Sequence, residues 1–225
     1  MNAIGIRLSG LNRKTKFLIV ILNDFFFALV CWLVFGPPMA TYIASEFSTG
    51  IFEIFADELS EIEMQAFEIG SWGKNVNVKI PITNTKKQST TPIIQKLLHN
   101  NIACNVTAIF TIDQIKKVLE VANKKTNLIL SIFSGRIADS GIDPVPLCAE
   151  AVSLVKNFSN IEILWASTRE LLNIFHAEQS GCNIITVPDD LLKKLSLIGK
   201  NLEDYSLETV LMFYNDAQKA GYKIF

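Results

Sequence analysis

A single lysine, Lys79, lies in NVNVKIP (residues 75–81), a stretch that otherwise has the composition of a buried strand. Side chains alternate along a strand, so Val76, Val78 and Ile80 share one face while Asn75, Asn77 and Lys79 share the other. A lysine enclosed by a sheet is costly unless it is paired, neutralised or used chemically. The position of Lys79 therefore raises the question of whether the amine reacts.

Further polar residues recur where apolar runs end, and each has a structural as well as a functional explanation. Thr107 and Ser131 could satisfy backbone groups, Arg136 could form a surface ion pair, and Glu53 could simply neutralise Lys79. Six consecutive strands that each deliver a polar residue to the same end favour a site there, as in βα barrels. In chain order these candidates are Glu53, Lys79, Asn105 with Thr107, Ser131 with Phe133, Arg136, and Ser167 with Arg169.

The elements that must position these residues alternate between strand and helix. Apolar runs at 51–56, 76–81, 102–110, 127–133, 161–167 and 183–188 are separated by segments with helical spacing. Thr111 and Ser167-Thr168 are typical of helix starts, and Asn101 and Gly181 of helix stops. This alternation predicts an α/β fold in which six βα units form a parallel sheet covered by helices.

Composition excludes several classes of function. The chain has 225 residues, of which 49% are hydrophobic, and a net charge of −1. A net charge so close to zero does not indicate the basic surface that nucleic-acid binding requires. Four widely separated cysteines without a CxxC pair indicate thiols in a reducing compartment. Neither histidine has a neighbouring metal-ligand pattern. We therefore expect no metal and no cofactor.

Residues 17–36, FLIVILNDFFFALVCWLVFG, have about the length needed to cross a bilayer. Basic residues precede the run and Pro37-Pro38 follows it, which predicts a membrane-associated helix within an N-terminal segment of residues 1–50. A buried soluble helix and a secretory signal are the alternatives. The opening also resembles the first membrane helix of the nucleotide-sugar dehydratases of polysaccharide biosynthesis, but no GxGxxG motif follows.

Residues 51–225 resemble the transaldolase and fructose-6-phosphate aldolase family. The motifs that carry this resemblance are FEIFAD, NVNVKIPITN, NVTAIFTIDQ, SIFSGRIADSG, ILWASTRELLN and CNIITVP. It implies a TIM (β/α)8-type barrel domain over 51–225 and a Schiff-base enzyme with Lys79 as the nucleophile. A substrate carbonyl is attacked by the uncharged amine, and removal of lysine from water favours that form.

The resemblance also implies roles for the other candidates. Glu53 and Thr107 would use a water as general acid and base. Asn105 and Ser131 would orient a dihydroxyacetone unit, and Arg136, Ser167 and Arg169 would bind the phosphate of a sugar-phosphate substrate.

Two of the candidates bear on the reaction. Members of the family that favour simple aldol cleavage tend to have tyrosine at the position of Phe133 and glutamine at that of Glu53. The residues here match the enzymes that transfer dihydroxyacetone between sugar phosphates. Cleavage of fructose 6-phosphate is the alternative.

The chain departs from the family at its beginning. The motifs of the first two βα units, which would supply an aspartate and an asparagine, do not occur in residues 1–50. The sequence thus predicts an incomplete barrel, because tilt and shear depend on strand number. A catalytically impaired, membrane-associated remnant or interaction module is a further alternative. Relatives often form rings, so a homo-oligomer is expected. Sugar phosphates and reduced thiols favour the cytoplasm, with membrane association through residues 17–36.

Overall fold

Seven parallel strands form the sheet in the part of the chain that the structure describes. A computed structural model describes residues 18–21 and 50–225 of the chain. Parallel neighbours need a crossover connection, and the segments between the strands supply the helices that provide it. The strands are β1 (Leu18–Ile21), β2 (Gly50–Glu53), β3 (Val76–Pro81), β4 (Ala103–Ile109), β5 (Leu128–Ile132), β6 (Ile161–Trp165) and β7 (Ile184–Val187).

Helices follow each strand from β2 onward. A short 3-10 turn, Leu195–Leu197, precedes the final helix, which is 19 residues long. The α-helices are α1 (Leu59–Ser71), α2 (Thr91–His99), α3 (Ile112–Val121), α4 (Ser134–Asp139), α5 (Pro144–Val155), α6 (Leu172–Gln179), α7 (Asp189–Leu192) and α8 (Leu202–Ala220). The strand-helix alternation predicted from the sequence is confirmed.

The strands pair in the order β1-β7-β6-β5-β4-β3-β2. Strands β2 to β7 follow one another in the sheet as they do in the chain, which is the arrangement of a βα barrel. Within the described residues β1 and β2 are the two edges of the sheet. The structure therefore has the incomplete α/β barrel-type fold that the sequence predicts.

Strand β1 corrects the prediction of a helix over residues 17–36. Residues 18–21 are a strand, and they pair in parallel with β7 from Leu18 opposite Ile184 to Ile21 opposite Val187. A short run such as Leu-Ile-Val-Ile has no polar residue to reveal a period of 2 or 3.6, so it fits a buried parallel strand as well as a helix. The remainder of the predicted helix lies outside the described residues, and the domain boundary at residue 50 stays a prediction.

Among the helices that the structure describes, none is both long and apolar enough to cross a membrane. The predicted membrane association through residues 17–36 gains no support from the described part of that segment, which is β1.

The two faces of the sheet pack differently. Val76, Val78 and Ile80 are buried in the large core between the sheet and the helices, as alternation predicts. The opposite face carries a smaller apolar cluster. That cluster consists of Ile129, Leu164, Ala166 and Ile184, with Phe133 packed against it. Asn77 and Lys79 alternate with the core valines and so belong to this second face.

The predicted helix boundaries are confirmed at three of four places. Thr111 forms a capping box with Gln114 at the start of α3. Asn101 and Gly181 have φ angles of 59° and 80° just after α2 and α6. The start predicted at Ser167-Thr168 is wrong, because α6 begins only at Leu172. The hydroxyl of Thr168 donates to the carbonyl oxygen of Thr186 on β7 instead of capping a helix.

Candidate active site

Lys79 and Glu53 form an ion pair at the edge of the sheet. They lie opposite each other in the β2–β3 ladder, and Nζ of Lys79 is 3.0 Å from Oε2 of Glu53. The side chains are 25% and 30% exposed, respectively, so both remain accessible. The register and the shared face together bring a primary amine and a carboxylate into contact, as their places in the sequence predict.

Asn105 continues this polar row onto β4, where it is the register partner of Lys79. The Oγ atom of Ser131 on β5 donates to Oδ1 of Asn105 at 2.7 Å. Both residues are buried. Because Oδ1 accepts this bond, the amide orientation of Asn105 is fixed by Ser131. The sequence predicted that both residues belong to the site but gave no sign of this direct contact.

Thr107 lies where β4 departs from regular geometry. The β4–β5 register shifts between Val106 and Ile109, and Ala108 has a φ angle of 58°. A bulge of this kind redirects side chains and is common beside active sites. The Thr107 hydroxyl is buried and has no hydrogen-bond partner within the described part of the chain. Such an atom normally binds a water or a ligand.

Phe133 and Arg136 are stacked beyond the end of β5. The guanidinium carbon of Arg136 lies 5.5 Å from the centre of the Phe133 ring, within the range of a cation–π interaction. Phe133 also contacts Phe110, with a distance of 5.8 Å between ring centres. Phe110 is a residue that the sequence analysis missed. Its position directly after β4, in the motif NVTAIFTIDQ, is the signal that could have found it.

Gly135, in α4, is in close contact with the loop after β6, which carries Ser167. The Gly135 N–H donates to the carbonyl oxygen of Ala166 at 3.3 Å. Ser167 has a φ angle of 63°, which is unusual for a residue other than glycine. Helix α4, which carries Arg136, and the loop that carries Arg169 are thus packed backbone to backbone.

Arg169 is exposed and ion-paired. Its Nη2 atom lies 2.7 Å from Oδ2 of Asp139, the last residue of α4. The same residue's N–H donates to Oδ1 of Asn173 at 2.9 Å. The surface ion pair that the sequence left open for Arg136 is therefore formed by Arg169 instead.

The candidates divide into two groups along the carboxyl ends of the strands. An amine, a carboxylate and three polar side chains lie on β2 to β5: Lys79, Glu53, Asn105, Thr107 and Ser131. Two cations and a hydroxyl lie on α4, which follows β5, and on the loop after β6: Arg136, Arg169 and Ser167. The first group can form and protonate a carbonyl adduct, and the second can bind an anion.

The sequence profile of the Transaldolase/Fructose-6-phosphate aldolase family matches residues 33–224. The match begins within the segment 1–50, whose resemblance to nucleotide-sugar dehydratases finds no support in these comparisons. Among solved structures, a mandelate oxidase mutant shares 12% sequence identity at a TM-score of 0.48, with 66% of this chain and 52% of that one covered. The chain thus spans about half of that structure, and this likeness says nothing of function.

Curated relatives agree with the profile. A probable transaldolase of Streptococcus equi subsp. zooepidemicus is 30% identical over 168 residues, which are 74% of this chain and 69% of the relative. A probable transaldolase of Chelativorans sp. is 32% identical over 196 residues, 87% of this chain and 79% of the relative. The family resemblance noted in the sequence is thereby confirmed. The chain belongs to the transaldolase/fructose-6-phosphate aldolase family.

Proposed function

We propose that the chain is a Schiff-base enzyme that transfers a dihydroxyacetone unit between sugar phosphates, with Lys79 as its nucleophile. The observation that carries this proposal is the contact between the Lys79 amine and the Glu53 carboxylate. An amine that must gain and lose protons during imine chemistry is served best by an acid–base group within hydrogen-bond reach.

In the proposed reaction, the uncharged amine attacks the C2 carbonyl of a ketose phosphate, and loss of water gives an iminium. The C3–C4 bond then breaks, with its electron pair moving toward the iminium nitrogen to form an enamine. The proton of the C4 hydroxyl passes to a base, and the remaining carbons leave as an aldose phosphate. The enamine attacks the aldehyde of an acceptor, and hydrolysis of the new iminium releases the product ketose and regenerates Lys79.

The remaining candidates have roles consistent with their surroundings. Glu53 accepts and returns the proton, through a water held by the unpartnered hydroxyl of Thr107. Asn105, oriented by Ser131, bonds the hydroxyls of the dihydroxyacetone unit. Arg136, Ser167 and Arg169 bind the substrate phosphate, for which a guanidinium fork is well suited. Sugar-phosphate substrates and the unpaired, buried thiols of Cys104, Cys148 and Cys182 fit a cytoplasmic enzyme.

Borohydride trapping tests this proposal. The full chain is incubated with fructose 6-phosphate and reduced, and the intact mass and the Lys79 peptide are measured. Lys79→Ala is the negative variant. Lys96→Ala is the matched control, because Lys96 also forms an ion pair, with Glu63, but on the exposed surface of α2.

We expect an adduct confined to Lys79 that persists in Lys96→Ala and is absent from Lys79→Ala. A folded wild-type protein that gives no adduct, or equal labelling of Lys79→Ala, would overturn the proposal. The first of these results would favour the catalytically impaired alternative. An adduct followed by free dihydroxyacetone, with no transfer to an acceptor, would favour aldol cleavage.

A further inference from the structure

A network of side-chain hydrogen bonds joins the loops that follow Glu53 and Lys79. The carboxylate of Asp57, in the loop after β2, accepts two bonds from Thr85, in the loop after β3. Oδ1 accepts from the Thr85 N–H at 2.8 Å, and Oδ2 accepts from the Thr85 hydroxyl at 2.6 Å. Asn84 adds a third bond, since its Nδ2 atom donates to the carbonyl oxygen of Asp57 at 3.1 Å.

Asn84 also organises its own loop. Its Oδ1 atom accepts from the N–H groups of Lys86 at 3.1 Å and Gln88 at 2.9 Å. Its Nδ2 atom donates to Oε1 of Gln88 at 2.7 Å as well as to Asp57. Asn84 is 7% exposed, and an aliphatic substitute would leave the N–H groups of Lys86 and Gln88 without this acceptor. The Asn84 amide therefore reinforces the loop after β3, together with backbone bonds such as that from the Asn84 N–H to the carbonyl oxygen of Gln88 at 3.0 Å.

Each loop is also fixed to the body of the fold. Gln65 of α1 accepts at Oε1 from the N–H groups of Phe55 at 3.2 Å and Ala56 at 3.1 Å. The buried Thr90 hydroxyl donates to the carbonyl oxygen of Pro81 at 2.5 Å. The three bonds of Asp57 with Thr85 and Asn84 are therefore a link between two anchored loops.

The link between the two loops lies next to the end of β2, where Glu53 is located. Glu53 is the last residue of β2, which has four residues. Within the described residues β2 is an edge strand that pairs only with β3. Among the described residues, the end of β2 that carries Glu53 is held by the ladder with β3, which continues in the bond from the Ile54 N–H to the carbonyl oxygen of Lys79 at 3.0 Å, and by the contacts of the loop that follows. The bonds from Asp57 to Thr85 and Asn84 restrain that loop against the loop that follows Lys79.

We propose that Asp57 and Thr85 are positioning residues that hold the Glu53 carboxylate at its working distance from the Lys79 amine. This inference rests on the proposed Schiff-base function of Lys79. Neither residue touches the reacting atoms. Both act through the strand ends, so their loss lowers the rate of proton transfer while leaving Lys79 able to bind substrate.

The test measures transfer kinetics with fructose 6-phosphate and an aldose phosphate acceptor, in the full chain, for Asp57→Ala, Asp57→Asn and Thr85→Val. Lys86→Ala is the matched control, because it removes an exposed ion pair of the same two loops, with Glu58, and leaves the Asp57–Thr85 bonds intact. Borohydride trapping at Lys79 is measured in parallel for every variant.

We expect kcat of Asp57→Ala to fall about 10- to 100-fold at an unchanged KM, as a displaced catalytic group produces. Asp57→Asn should recover part of the rate, because its amide oxygen can still accept one bond from Thr85. Lys86→Ala should match wild type. Trapping should persist in all variants. Thr85→Val, which keeps the side-chain volume, provides the same test if Asp57→Ala does not fold.

Unchanged kcat in Asp57→Ala and Thr85→Val, beside a normal Lys79 adduct, would overturn this inference alone. An equal fall in kcat in Lys86→Ala would also overturn it. The fall would then follow from any change to these two loops, and not from loss of the Asp57–Thr85 hydrogen bonds. A wild-type protein without an adduct would instead overturn the proposed function, and the inference with it.

Discussion

The carbonyl oxygen of Ser167 lies 1.6 Å from the point where a Cβ atom on residue 135 would be. Any side chain at Gly135 would therefore force α4 and the loop after β6 apart. These two segments carry the three candidate phosphate ligands Arg136, Ser167 and Arg169. A glycine at residue 135 is thus a condition for their arrangement.

Gly135→Ala should destabilise the protein by about 1–3 kcal/mol, because the obstructing atoms are backbone and must move. It should also raise KM for sugar phosphates, since α4 and the loop after β6, which would bind the phosphate, separate. Thermal unfolding and steady-state kinetics check these effects. Gly70→Ala is the control, because the atoms nearest to its added Cβ belong to the side chain of Ile102, which can shift more easily than backbone. A Gly135→Ala variant no less stable than Gly70→Ala would contradict the prediction.

Glu53→Gln should keep the shape of the side chain next to Lys79 but remove its capacity for proton transfer. We expect kcat to fall by about 10²- to 10³-fold, in the range of general acid–base catalysis. Rapid-quench measurement of the Lys79 adduct should show which step slows. Glu63→Gln, which alters an exposed ion pair with Lys96, is the matched control. Wild-type turnover in Glu53→Gln would exclude Glu53 as the acid–base group.

Phe133→Tyr should shift the reaction from transfer toward release of free dihydroxyacetone. A hydroxyl near the enamine could deliver a proton to its carbon, whereas the phenylalanine ring cannot. We expect the ratio of released dihydroxyacetone to transfer product to rise about several-fold, because one positioned proton donor speeds a protonation step. Phe110→Tyr, on the neighbouring ring that is 36% exposed, is the control. An identical product ratio in Phe133→Tyr and wild type would refute this expectation.

Asp57 should contribute stability that depends on pH. The hydrogen bonds from the hydroxyl and N–H of Thr85 hold the pKa of this carboxyl below its ordinary value of 3.8. A carboxyl whose pKa is lowered by folding stabilises the folded state fully at any pH above its pKa in the unfolded chain. That stabilisation is lost as the pH falls through its pKa in the folded state. The difference in Tm between wild type and Asp57→Asn should therefore be largest near pH 6 and shrink below pH 3.8. A difference independent of pH would contradict this account.

Cys104 should be inert to alkylation in the folded protein. Burial in β4 raises the pKa of this thiol to about 12, and only the thiolate reacts with iodoacetamide. Peptide mass spectrometry should find Cys104 unmodified after native treatment at pH 8 and fully modified in denaturant. Rapid native labelling of Cys104 would show that β4 opens locally.

The sequence predicts the features of this fold that depend on local periodicity. Alternation assigned Val78 and Lys79 to opposite faces, and Thr111, as a residue typical of helix starts, located the start of α3. Both depend on residues within a few positions of each other. The strand at 18–21 could not be predicted in this way, since its structure depends on pairing with β7, more than 160 residues away along the chain.

In the candidate site, too, some contacts could be predicted from the sequence and others could not. The contact between Glu53 and Lys79 could be predicted, because strand register and a shared face determine it. The bonds between Asp57 and Thr85 could not, since they depend on the conformations of two loops that begin 28 residues apart. The stacking of Arg136 on Phe133 could not be predicted either, since it depends on the backbone geometry beyond the end of β5; the sequence analysis expected Arg136 to bind phosphate or to form a surface ion pair.

Helix α8 has a separate thermodynamic consequence. No residue of this 19-residue helix is buried within the described structure, so the helix adds little to the hydrophobic stabilisation of the fold. An isolated helix of that length is only marginally stable in water. Amide protons of α8 should thus exchange with solvent long before those of β3 to β6. In folding terms, we expect the cooperative unit of the described residues to end before residue 202.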